Sequence, residues 1–122
     1  MEGDDGSSFE PPQYPALVRL IRILQQHYPI EDIVGHADMT SGDRVAATLD
    51  ASMAAAPQRF RGVRQIGISH PNEAVLRFLT HRPPPDLMKS PGFRAAFRHL
   101  APRQLSFDTA VLHHQLPELT QL

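Results

Sequence analysis

Ile33-Val34-Gly35-His36-Ala37-Asp38-Met39 is the stretch on which the reading of the fold turns. A short apolar run makes a buried strand, and the strand delivers a histidine and an aspartate at its end. Residues two apart on a strand share a face, so His36 and Asp38 are expected to point at one ion or one substrate. Two donors do not complete a zinc site. The plain alternative is a histidine satisfied by local hydrogen bonds.

On the N-terminal side, Leu17, Leu20, Ile21, Leu24 and Tyr28 fall on one helical face, with Arg19, Arg22 and Gln26 elsewhere. This predicts an N-terminal amphipathic helix that starts at Pro15 and is stopped by Pro29. Met1–Pro12 is polar and reads as a loop or frayed end. The strand itself is expected over Ile30–His36.

On the C-terminal side, Thr40-Ser41-Gly42-Asp43 predicts a turn, with Ser41 capping the next helix. Val45, Leu49 and Met53 line that helix, and Pro57 ends it. Phe60–Ile68 predicts a second strand, apolar at Phe60, Val63, Ile66 and Ile68. Pro71 suits a first helical position before a short face of Ala74, Val75, Phe78 and Leu79. His81-Arg82-Pro83-Pro84-Pro85 predicts a stiff, polyproline-like loop. Ser90-Pro91 starts a helix faced by Phe93, Ala96, Phe97 and Leu100, closed by Pro102. Leu105–Leu112 reads as a third strand, and Leu116–Leu122 begins a helix. Met39, Met53 and Met88 are expected as core fillers.

Strands alternate with helices, which predicts an α/β fold with parallel strands and right-handed crossovers. About three strands are too few to close a barrel. The 122 residues suffice for one compact unit with a modest core. A net charge of −1 gives no electrostatic footprint for nucleic acid or an anionic membrane. Cysteine is absent, which excludes disulfides, a thiol nucleophile and thiolate metal sites. Any metal would need histidine and carboxylate ligands, and seven histidines are available. No apolar run approaches the ~20 residues that span a bilayer. No signal peptide opens the chain, so a cytoplasmic location is expected.

In parallel α/β folds, sites are built at the C-terminal ends of strands. That places His36, Asp38, Arg64 and His113 in candidate positions. His113 and His114 are adjacent and should point to opposite faces. Asp108 lies inside the third strand and needs a partner, for which Arg64 is the candidate. No glycine-rich phosphate loop, G-x-S-x-G elbow or H-E-x-x-H motif is present.

Several ordered segments carry a family resemblance. They are Ile33–Met39, Leu49-Asp50-Ala51, Arg59–Arg64, Pro83-Pro84-Pro85, Phe93–Pro102, Leu105–Asp108 and His113 through Leu119. On these, residues 34–122 resemble the amidohydrolase-2 family of metal-dependent TIM-barrel hydrolases. The resemblance implies a partial (β/α) barrel whose strands match central barrel strands. It implies hydrolysis, or related C–C cleavage, at a small carbonyl substrate such as a lactone, amide or carboxylate. Arg64 and His113 match active-site-side positions, as substrate contacts. The family's first-strand H-x-H is absent, and His114 stands where the family usually has proline.

Residues 1–43 carry a second resemblance. Met1-Glu2-Gly3, Asp5, Phe9, Gln13-Tyr14, the leucine-rich helix, Tyr28-Pro29 and Gly35-His36-x-Asp38 are similar to zinc-dependent N-acetylmuramoyl-L-alanine amidases of peptidoglycan recycling. That resemblance implies zinc, with His36 as a ligand. Arg44-Val45-Ala46-Ala47 replaces the segment that carries a further ligand in that family. The two resemblances meet at Ile33–Asp38. Neither catalytic set is complete, so no catalytic residue is assigned. A small-molecule substrate, zinc or another divalent metal, and self-association through exposed strand edges are the remaining expectations. A non-catalytic interaction or structural fragment is the alternative function.

Overall fold

The computed structural model describes residues 13–122, with side chains from Pro15 onward. The loop expected over Met1–Pro12, and the amidase-like residues within it, lie outside the described residues. Helix α1 spans Gln13–His27. Ile21 on it is buried and Leu17 packs against the same core. Tyr28 is not part of the apolar face: it lies past the helix end and is 62% exposed.

Strand β1 is Ile33–His36, β2 is Phe60–Arg64 and β3 is Ser106–Asp108. Helix α2 (Val45–Ala55) follows β1, α3 (Pro91–Phe97) follows β2, and α4 (Leu116–Leu119) follows β3. The sheet has the order β1-β2-β3, with both pairs parallel. The α/β class and its parallel strands are therefore present, as an open sheet. The regular strands are shorter than their apolar runs. The pairing nevertheless continues past them, with Gln65 N–H donating to Asp108 O at 3.2 Å and Gly67 N–H to Ala110 O at 3.1 Å.

Register decides which side chains reach the core. Ile33 pairs with Phe60, but Val34 pairs with Gly62, so Arg61 is an extra residue in β2. Such a bulge shifts the side-chain alternation by one. Phe60 and Val63, three apart, therefore both point into the core, and both are buried. Gly62 then comes close to β3: a Cβ built there would lie 2.6 Å from the carbonyl oxygen of Ser106.

The helices α1, α2 and α3 feed one core against β2. It contains Ile21, Val45, Leu49, Val63, Phe93 and Ala96, with Met39 and Met88 filling gaps between them. Met53 packs against its margin. Phe107 of β3 meets the rings of Phe93 and Phe97 edge-on, at centroid distances of 5.6 and 5.5 Å. The opposite face of the sheet is open. Val34 and Ile66 on it are 43% and 42% exposed.

Local signals near α3 match its start. Ser90 Oγ accepts the Phe93 N–H at 3.2 Å, and Pro91 opens the helix. The cap expected from Ser41 is absent. A 3-10 turn over Met39–Arg44 runs straight into α2, and the Val45 N–H is already bonded to the backbone of that turn. Asp38 caps the turn instead. The short helix expected around Ala74–Leu79 is a single 3-10 turn, Glu73–Leu76, capped by Asn72. One such turn is too short to hold a helical stripe. Leu76 is its buried residue, and Phe78 is 63% exposed.

Candidate substrate cleft

A cleft of about 790 Å³ opens at the C-terminal ends of β1 and β2. Its floor includes His36, Asp38, Arg64 and Gln65, and the segment from Phe78 to Pro84 forms a facing wall. The parallel arrangement brings the floor together, because every strand ends on the same side. His36, Arg64 and Asp108 stand in one row across the sheet: His36 pairs with Arg64, and Arg64 with Asp108.

Each floor residue has a distinct environment. His36 is half-buried, and its Nδ1 is buried without a hydrogen-bond partner. Asp38 Oδ1 accepts from the Thr40 N–H at 2.9 Å and from the Thr40 hydroxyl at 2.6 Å. One oxygen of the expected His36/Asp38 pair is thus committed to a local turn. Arg64 Nε donates to Asp108 Oδ2 at 2.7 Å, and its Nη2 also reaches that oxygen. The partner expected for Asp108 is therefore Arg64, but the pair is solvent-exposed and not internal. On the facing wall, Arg82 is ion-paired with Glu73.

Gln65 is the residue that pattern reading passed over. It is buried, and its Oε1 accepts the Met39 N–H at 2.9 Å across 26 positions. Its amide nitrogen has no hydrogen-bond partner among the described residues. The only available signal was a polar residue inside an apolar strand run.

His113 is elsewhere. It opens the 3-10 turn His113–Gln115 and is exposed. Its ring lies 5.8 Å from His114, whose ring lies 5.3 Å from His70. The cleft lining does not include it. The buried member of that turn is Gln115. It bridges the Ser69 N–H, the Leu112 N–H and the Gly67 carbonyl.

Among the described residues, no group of three or more His, Cys, Asp or Glu is placed to hold a metal ion. A smaller, mainly apolar cavity of about 200 Å³ lies between α1, α2 and β1, and shares His36 with the cleft. The groups with displaced acidity lie outside both cavities. A hydrogen bond from Arg103 holds the Asp50 carboxyl low, and Glu118 and then Asp86 hold the Lys89 ammonium high. No described helix is long and apolar enough to cross a membrane.

The chain is similar to part of a longer protein. It is 36% identical over 100 residues, 82% of its length, to the uncharacterized protein y4mH of Sinorhizobium fredii (strain NBRC 101917 / NGR234). It spans 31% of that protein. No family model matches the chain, and no solved structure matches it.

Proposed function

We propose that this chain is a segment of an amidohydrolase-2-type hydrolase, and that its part is to shape the cleft for a small carbonyl substrate. The observation that supports this reading is the order β1-β2-β3, which never reverses, with the intervening helices feeding one core. Doubly wound sheets reverse strand order and carry helices on both faces. A singly wound sheet with one helix-covered face is the local pattern of a (β/α) barrel. In that pattern the open face bearing Val34, Arg64 and Ile66 corresponds to the barrel interior. The cleft then lies at the end where barrel sites are built.

The residues present do not fit a metal by themselves. His36 and Asp38 supply two donor groups, and one Asp38 oxygen is already bonded to Thr40. No chemical step is therefore assigned to a metal. These residues can bind and orient: Arg64, held by Asp108, presents a guanidinium edge to the cleft, and His36 lines its floor.

The test is to incubate the purified chain, with and without added zinc, with lactones, amides and dicarboxylates. Turnover that is lost in the His36→Ala variant supports the reading. Absence of both turnover and millimolar binding for every member overturns it. Turnover of an anhydromuramyl-peptide favours the amidase resemblance instead. A second, non-catalytic reading is favoured by the incomplete donor set and the exposed Val34 and Ile66. It predicts self-association with no small-molecule binding, measured by size-exclusion chromatography.

A further inference from the structure

Met39 N–H can only donate, so the Gln65 atom facing it at 2.9 Å must be the carbonyl oxygen. This settles the amide's orientation, which is otherwise ambiguous in side chains of this type. With Oε1 tied to the turn after β1, Nε2 is left as a two-proton donor without a protein acceptor among the described residues. Gln65 is 91% buried (9% exposed) and lines the cleft between β1 and the Phe78–Pro84 wall. Among the described residues, the buried side-chain atoms without a partner are His36 Nδ1 and Thr109 Oγ1, so Gln65 Nε2 is not sealed in the core and meets the open cleft. An amide that satisfies only its inner end, on a rigid strand extension bonded to β3 through the Gln65 N–H, is a preorganised donor.

We propose that Gln65 is a substrate-contacting residue: its Nε2 donates a hydrogen bond to a neutral carbonyl oxygen of the molecule bound in the cleft. The ligand class is a small ester, lactone or amide. Their carbonyl oxygen accepts a hydrogen bond and carries no charge to be balanced. The charges around the cleft agree, since Arg64 and Arg82 are already engaged by Asp108 and Glu73. This deepens the proposed function and rests on its carbonyl substrate.

The experiment uses δ-valerolactam, a neutral and hydrolysis-resistant carbonyl probe, titrated into the ¹⁵N-labelled chain. Gln65→Glu keeps an oxygen to accept the Met39 N–H and replaces the donor with another acceptor. The expected result is a shift of the Gln65 side-chain amide resonance on titration and about tenfold weaker binding to Gln65→Glu. The Met39 amide should stay protected from exchange in the variant, which separates a lost contact from a lost fold. Gln65→Met removes both ends of the amide, so it should lose that protection as well. Equal binding by wild type and Gln65→Glu overturns the proposal while leaving the hydrolase reading intact. No lactam binding by the wild type overturns it too. Binding as expected without turnover of any ester or lactone supports the contact and agrees with a chain whose part is to shape the cleft.

Discussion

Arg64 and Asp108 face each other across the β2–β3 ladder, with Nε 2.7 Å from Oδ2 although 44 positions separate them. Both side chains are well exposed, at 64% and 43%. Solvent screening keeps such a pair to about 1 kcal/mol or less. Asp108→Asn should therefore leave the urea midpoint nearly unchanged. In the proposed reading, Asp108 orients Arg64, so the same change should weaken δ-valerolactam binding about threefold, and Arg64→Met about tenfold. Isothermal titration checks both. A large loss of stability with unchanged binding would make the pair purely structural.

Gln115 should be a much larger contributor to stability. Its side chain accepts from Ser69 and Leu112 at 3.0 and 3.1 Å and donates to Gly67 at 2.8 Å. Gln115→Leu keeps most of the volume but strands three backbone groups in a buried place. The expected cost is about 2–4 kcal/mol in chemical denaturation. A cost below about 0.5 kcal/mol would mean that water replaces the amide at this junction.

At Gly62 the constraint is contact. An added Cβ would stand 2.2 Å from Ser106 Oγ and 2.6 Å from the Ser106 carbonyl oxygen. Gly62→Ala should destabilise by about 2–4 kcal/mol, because β2 and β3 must move apart. Adding Ser106→Ala removes the hydroxyl clash but not the backbone one. The double variant should stay well below wild type in thermal stability, and full recovery would place the strain in the hydroxyl alone.

Asp50 sets one pH dependence. The Arg103 hydrogen bond lowers its pKa; partial desolvation opposes this, and the charges of Arg103 and His99 add to it. A carboxyl that is more acidic folded than unfolded contributes stability above its unfolded value of about 4. That contribution fades as pH falls through the lower, folded value. Asp50→Asn should flatten the part of the stability curve that falls as pH drops below the ordinary carboxylate range of about 4. Identical acid-unfolding slopes for wild type and variant would show that the pair adds nothing in solution.

Much of the scaffold was legible in short-range spacing. The Ser90-Pro91 start and the Phe93/Ala96/Phe97/Leu100 face depend on residues within about two helical turns; the start is present and all four pack in or against the core, although α3 ends at Phe97 and not at Pro102. The two strands flanking α2 also follow from apolar runs bounded by turn residues. The short 3-10 turn at Glu73–Leu76 was not legible. Its few residues fit two helix types, and Leu76 rather than Phe78 found the core.

The amino-acid order by itself determined the α/β class, the position of β1 and the placement of His36 and Asp38 at its end, whereas β2 was expected to run past Arg64 to Ile68 and ends at Arg64. The first three are consequences of local periodicity. The tertiary structure decided the rest. The bulge at Arg61 chose which β2 side chains enter the core. Asp38 caps its own turn through Oδ1, so one oxygen of the opening His36/Asp38 pair is already committed to Thr40. His113 stands apart from the cleft, and Gln65 joined it through Met39. Each outcome depends on the register and approach of segments distant in sequence, and no spacing rule within one segment contains that information.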